Sequence, residues 1–273
     1  MSEEETKIVA NVPSSEVAVP DYLKEYEGET GTEDVVLFVK PPRLKIVQKQ
    51  ANDELLKQFN VGDLIVTPAR ELVAEEGEKF AFAPIFFWAE WCTWNPYELK
   101  DTMDTIAERT TDPNHPLVAK CRSPKLRQEL WPEQFKGKDI YLRHCEHLNY
   151  AIEILSGPFA SSVVIQTFLR AQHQDGTNFA QLIQMRKAPL FSMQFEAQTY
   201  FKEYSGNSWR GLRVSNPATV DKFASVAEFE ARKELYHEFK KAHESEGIQV
   251  DFDDDAETVE GTATPVDETN AAF

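Results

Sequence analysis

Pro189-Leu-Phe-Ser-Met-Gln-Phe-Glu-Ala-Gln-Thr-Tyr-Phe-Lys-Glu-Tyr204 is followed by Ser205-Gly206-Asn207 and then by Ser208-Trp-Arg-Gly-Leu-Arg-Val214. In the first segment Leu190, Ser192, Gln194, Glu196, Gln198 and Tyr200 alternate with Phe191, Met193, Phe195, Ala197, Thr199 and Phe201. Successive strand residues point to opposite faces, so a period of two predicts a β-strand with one apolar side. A Gly-Asn turn between two such runs is a hairpin signal. These residues therefore place an antiparallel hairpin in the second half of the chain.

Working outward, further strands are predicted at Val35–Val39, Leu44–Val47, Leu64–Val66, Ile140–Ile154 and Val163–Leu169. Lys79-Phe-Ala-Phe-Ala-Pro-Ile-Phe-Phe-Trp-Ala-Glu-Trp-Cys-Thr-Trp94 is the most apolar stretch, with Pro84 marking a bulge, an edge or a break. From Ile85 it is apolar on both faces, as a central strand is, with Trp88 in the core and Trp94 exposed. Helical spacing appears at 52–59, weakly at 98–111, and at 178–187 after a Gln174-Asp175-Gly176 turn. Residues 112–138, carrying four prolines, are expected to be an irregular excursion. A last helix starts at a Ser225/Glu228 capping box, presents Val226, Phe229, Tyr236 and Phe239 on one side, and stops near Gly247. The fold expected is a β-rich α+β body, an oligonucleotide-binding-type antiparallel barrel with inserted loops and short helices, a C-terminal helix and disordered acidic ends. The boundaries expected are 1–34 for an acidic arm, 35–217 for the body, 218–247 for the helix and 248–273 for a tail.

The net charge of −17 is unevenly spread. Residues 1–34 hold ten acids against Lys7 and Lys24, and Glu244–Phe273 hold ten acids with no Lys or Arg, which leaves the body near neutral. A like-charged polar chain cannot offset its ordering entropy by burial. The acidic run that closes on Asp267-Glu268-Thr-Asn-Ala-Ala-Phe273 resembles the tails of bacterial and phage single-stranded DNA-binding proteins. That resemblance implies that Asp267, Glu268 and Phe273 dock replication or recombination proteins, and that the acids compete with DNA for a basic groove. The plainer reading is a tail that only keeps the chain soluble.

The nucleic-acid reading of the body rests on basic residues interleaved with rings. Lys125, Arg127 and Arg143 lie in one region; Arg186, Lys187, Tyr200, Lys202, Tyr204, Trp209, Arg210 and Arg213 lie around the hairpin. A single strand offers phosphates to cations and bare base faces to rings, and stacking contributes roughly 1–3 kcal/mol per base. The competing expectation is that the Phe residues are core and the cations a solvated face.

Cys92, Cys121 and Cys145 are expected to be free thiols of a reducing compartment, the host cytoplasm for a phage protein. No signal peptide or membrane span is predicted. His144-Cys145-Glu146-His147, with Cys121, Cys92 or His115, has ligand-type residues but lacks zinc spacing, so buried structural residues are preferred and no metal or other cofactor is assigned. No nucleotide, metalloprotease or hydrolase motif is present. Asp101, Asp104 and Glu108, on one predicted helix face, form a nuclease-like group that could hold Mg²⁺, and Glu98-Leu99-Lys100 matches the ExK half of a nuclease motif; lone carboxylate triplets on helices are usually solvated. The expected function is sequence-nonspecific single-stranded DNA binding in phage replication or recombination, without enzymatic activity. The alternatives are a phage structural or interaction protein and, last, a metal-dependent nuclease.

Overall fold

Two long strands form the spine, β4 (Phe80–Trp94) and β7 (Tyr141–Ile154), paired antiparallel from Phe82↔Ile154 to Trp94↔Arg143. The computed structural model describes residues 42–204, 206–215, 223–245, 248 and 250. The predicted strand at 35–39 and the arm 1–34 lie outside them. Eight further strands complete one sheet: β1 (Arg43–Ile46), β2 (Leu64–Thr67), β3 (Glu71–Ala74), β5 (Ile106–Thr110), β6 (Gln128–Leu130), β8 (Val163–Phe168), β9 (Phe195–Tyr204) and β10 (Asn207–Ser215). The ladder order is β10-β9-β4-β7-β8-β1-β2-β3, with β5 added to β4 and β6 to β7. All pairings are antiparallel except β1 with β8.

The register slips between Pro84 and Phe86, and this bulge exchanges the faces of β4. Phe80 and Phe82 lie in one core with Tyr150, Ile152, Phe168 and Phe195. Beyond the bulge, residues of the same parity, Phe86, Trp88, Cys92 and Trp94, lie in a second core on the other side. Both faces of β4 are thus covered, which explains its continuous apolar run. Trp94 is only 7% exposed, against the expectation of an open ring.

Four helices pack on this frame: α1 (Asp53–Gln58), α2 (Pro116–Arg122), α3 (His173–Arg186) and α4 (Val226–Glu244). α1 is capped by Asn52, whose side chain accepts from the Leu55 N–H at 2.8 Å. The capping box of α4 is formed as predicted, and Tyr236 and Phe239 lay rings against Phe86. Val226 instead stands 81% exposed. Arg232, a charged residue of α4, is buried in an ion pair with Glu153 of β7. Just past α4, Ile248 and Val250 pack into the second core, and Arg109 donates to the Val250 carbonyl at 3.2 Å. Two residues assigned to the tail by sequence therefore belong to the packed body.

Three element assignments change. Residues 97–110 form a 3₁₀ turn (Tyr97–Leu99) and then β5, not a helix. The proline-rich 112–138 segment holds α2, with Pro116 at its start where a missing N–H costs nothing, and β6. The supposed turn at 174–176 lies inside α3, because Gly176 is there for space: a Cβ would fall 2.6 Å from Cβ of Phe168.

The sheet is open rather than a closed barrel. Its β10 edge is drawn toward the end of β1 by one side chain: Gln48 donates to the Arg210 carbonyl and accepts from the Arg210 N–H, both at 2.9 Å. That contact imitates a pair of ladder bonds without supplying a ladder.

Candidate nucleic-acid interface

The hairpin register decides which side chains share a surface. Gly211 lies opposite Tyr200, Trp209 opposite Lys202, and Asn207 opposite Tyr204. Directly opposed residues lie on the same face. Tyr200, Lys202, Tyr204, Trp209 and Arg213 therefore form one surface, five of the eleven body residues selected from sequence. Arg213 lays its guanidinium 4.4 Å over the Tyr200 ring, and Tyr204 is 50% exposed. The Trp209 indole N–H is shielded and has no hydrogen-bond partner among the described residues.

α3 contributes the acid of this surface. Asp175, 6% exposed, accepts on one carboxylate oxygen from the Tyr200 hydroxyl and the Lys202 ammonium, each at 2.8 Å. Gly211 is obligatory beneath it, since a Cβ would stand 2.6 Å from the other carboxylate oxygen. Burial pushes the Lys202 pKa down, but its bonds to Asp175 and Tyr200 outweigh that and hold it above the ordinary lysine value. Burial likewise raises Tyr200.

The other selected residues lie elsewhere. Arg210 points to the opposite side of β10, ion-paired with Glu76 and 4.8 Å over Phe201. Phe201, expected in the core, is 53% exposed. Arg186 sits eleven residues beyond Asp175, about 16 Å along α3 at 1.5 Å per residue, against Phe195 and Phe223. Lys187 caps that helix in a left-handed conformation. Lys125 is exposed in the turn after α2, and Arg127 donates to the Cys121 carbonyl at 3.2 Å. Arg143 is on β7 opposite Trp94. Asp267, Glu268 and Phe273 lie outside the described residues.

Between β8 and α3 the 3₁₀ turn Arg170–Gln172 packs against both β7 and β10. Arg170, not selected from sequence, has φ +49° and places its guanidinium 4.4 Å over Trp94. No local pattern marks it, because its partner is 76 positions away. Three residues on, His173 meets Glu146 at 3.0 Å, and Glu146 also accepts from Trp91 at 2.9 Å and Arg122 at 3.2 Å. Those bonds, His173 first, hold the Glu146 carboxyl at about 2.

The His-Cys-Glu-His run divides by alternation. His144 faces Thr93 at 3.0 Å, whereas His147 joins Cys92 and Glu90 on the other side, with ligand-type atoms of Glu90, Cys92 and His147 within 4.8 Å of one another. The Trp94 indole, which only donates, gives its proton to His147 Nε2 at 3.1 Å. His147 therefore carries its proton on Nδ1, toward Cys92 Sγ (3.6 Å) and the Glu90 carboxylate (3.9 Å). A metal on Nδ1 would need a proton on Nε2, setting two N–H groups head to head. Burial raises Glu90, and the Arg109 guanidinium at 3.4 Å opposes this. The arrangement is a proton-holding network within the core. The nuclease-like trio also disperses: Asp101 and Asp104 lie in the turns before β5 and Glu108 on β5 itself, so the expected helix face does not exist.

Residues 12–245 match the family model described as Pam3 phage gp34-like protein. The chain belongs to that family. The match takes in all eleven body residues selected from sequence and ends before Ile248, Val250 and the acidic tail. It makes this a phage-type protein and carries no indication of a single-stranded DNA-binding family. No curated protein and no solved structure matches the chain. Among the described residues no helix is long and apolar enough to cross a membrane.

Proposed function

We propose that the chain is a phage single-stranded DNA-binding protein without sequence preference, serving replication or recombination and catalysing no reaction. The observation that supports this reading is the hairpin surface, where Tyr200, Tyr204 and Trp209 stand among Lys202 and Arg213. Rings spaced between cations suit a strand whose bases stack while its phosphates displace counterions. The acidic tail, with Asp267, Glu268 and Phe273, recruits partner proteins and lowers DNA affinity by competing for the cations. Fluorescence anisotropy with labelled oligo-dT tests both parts. Trp209→Ala weakens binding with the fold intact, and a chain ending at Val250, which keeps the packed residues of the second core, binds more tightly. Unchanged affinity in the first case removes the hairpin from the site; unchanged or weaker affinity in the second removes tail competition.

A second reading, a structural or interaction protein without nucleic-acid binding, draws support from ion pairing. Lys202 pairs with Asp175, Arg210 with Glu76, Arg122 with Glu146 and Lys120 with Glu129. Cations already neutralised within the fold attract phosphate less. Absence of oligo-dT binding at low salt favours this second reading.

A further inference from the structure

Arg70, Arg109, Arg122, Arg210 and Arg232 each have an acid beside them; Arg143 and Arg170 do not. Among the described residues no carboxylate oxygen lies within 4 Å of either guanidinium, and both side chains are exposed. Both nevertheless lie beside Trp94, Arg170 over its ring and Arg143 across the ladder from it, near enough for each charge to be felt by the other. Arg143 is the cross-strand partner of Trp94, and Arg170 lies 4.4 Å over the Trp94 ring. Trp94 cannot turn away, because its N–H is held by His147 at 3.1 Å and its ring lies in the second core. Arg170 holds its position with φ +49°, a conformation that a long side chain rarely adopts and that clusters at functional sites.

We propose that Arg143 and Arg170 form an anion site, backed by Trp94, that takes a phosphate group. A guanidinium stacked on Trp94 with a second across the ladder from that residue brings two planar, multiply donating cations to one place, the chemistry that suits phosphate oxygens. The electrostatics agree. Partial desolvation, and then the charge of Arg170, hold the Arg143 pKa below its ordinary value, while Glu98 opposes this from beyond ion-pair distance. Two like charges held together without a counterion are unfavourable until an anion joins them. By strand alternation Trp94 lies on the side of β4 opposite Trp91, so this site is separate from the His173–Glu146 contact that leads into the hairpin surface. The proposal rests on the nucleic-acid reading only for the source of the phosphate, a DNA backbone rather than a free phosphate compound.

The full chain is titrated with inorganic pyrophosphate by calorimetry and with labelled oligo-dT by anisotropy. Arg143→Gln, Arg170→Asn (Asn accepts left-handed backbone), Trp209→Ala and the remote Lys57→Gln are compared. Either arginine substitution weakens pyrophosphate about tenfold, the usual scale for a charge-assisted hydrogen bond, while Lys57→Gln and Trp209→Ala leave it unchanged. Each also weakens oligo-dT and flattens the salt slope by about 0.7 per lost contact. Pyrophosphate affinity that is absent, or equal in all variants, overturns the site. Oligo-dT that binds through Trp209 but ignores both arginines leaves the hairpin reading standing and makes a free phosphate compound the ligand. Loss of pyrophosphate binding in a chain that never binds oligo-dT keeps the anion site and removes the DNA reading.

Discussion

Replacing Asp175 with Asn separates two roles of one carboxylate. The change keeps the shape that Gly211 accommodates and removes the charge that Lys202 and Tyr200 share at 2.8 Å. A hydrogen bond to a charged group contributes roughly 1.5–3 kcal/mol. The Lys202 side chain retains 18% exposure, so screening is modest, and we expect a loss of about 2 kcal/mol. In a body of this size that lowers Tm by roughly 4–8 °C. The sign with pH follows from the raised Lys202 pKa. The contribution is complete below the unfolded lysine pKa and is lost as pH climbs through the folded value. The gap between wild type and variant is therefore constant from pH 6 to pH 9, to be checked by urea melts, and closes only in strongly alkaline solution. For function the direction reverses. Removing an anion from the surface, worth about 1 kcal/mol for charges ~4 Å apart in water, tightens oligo-dT roughly fivefold and steepens its salt slope. Lower stability with unchanged DNA affinity would show that Lys202 is structural and no part of an interface. Unchanged stability would refute the ion pair itself.

Gly176→Ala in α3 gains helix propensity but drives a methyl against Phe168, and the clash dominates, with a net loss of about 1–3 kcal/mol read in denaturant melts. Glu146→Gln destabilises the chain at neutral pH. Because the folded Glu146 pKa is lowered to about 2, its contribution is present above the unfolded value near 4.5 and lost as pH falls toward 2, so the variant's acid melt is flatter over that interval. Gln48→Ala removes both bonds to the Arg210 backbone and speeds amide exchange along the β10 edge, measured by hydrogen exchange, while leaving the β4–β7 pairing protected.

The hairpin face was legible in the sequence because strand period and turn chemistry are local. Met193, Phe195, Ala197 and Thr199 are buried on the parity predicted, and Trp209 and Arg213 share a surface with Tyr200 as alternation requires. The exchange of faces at Pro84 was half legible: proline announces a bulge, but which core each half enters depends on β7, β9 and α4. The 174–176 assignment failed because Asp and Gly favour turns locally, whereas here Gly176 makes room for Phe168 and Asp175 answers Lys202 from 27 residues away. Arg170 and Arg232 were invisible for the same reason, since their meaning lies in Trp94 and Glu153, far along the chain. Paired cations were the other blind spot. A sequence shows that Arg210 is basic, and only the fold shows that Glu76 already holds it.

The central claim, that the hairpin surface binds a single DNA strand through cations and stacked rings, is tested most directly by the salt dependence of oligo-dT binding to the full chain. Two phosphate contacts, at Lys202 and Arg213, predict a log–log slope of about −1.4 or steeper, reduced in amplitude by Trp209→Ala. A chain that shows no binding at low salt, or binding indifferent to salt, contradicts the claim and leaves the interaction-protein reading in its place.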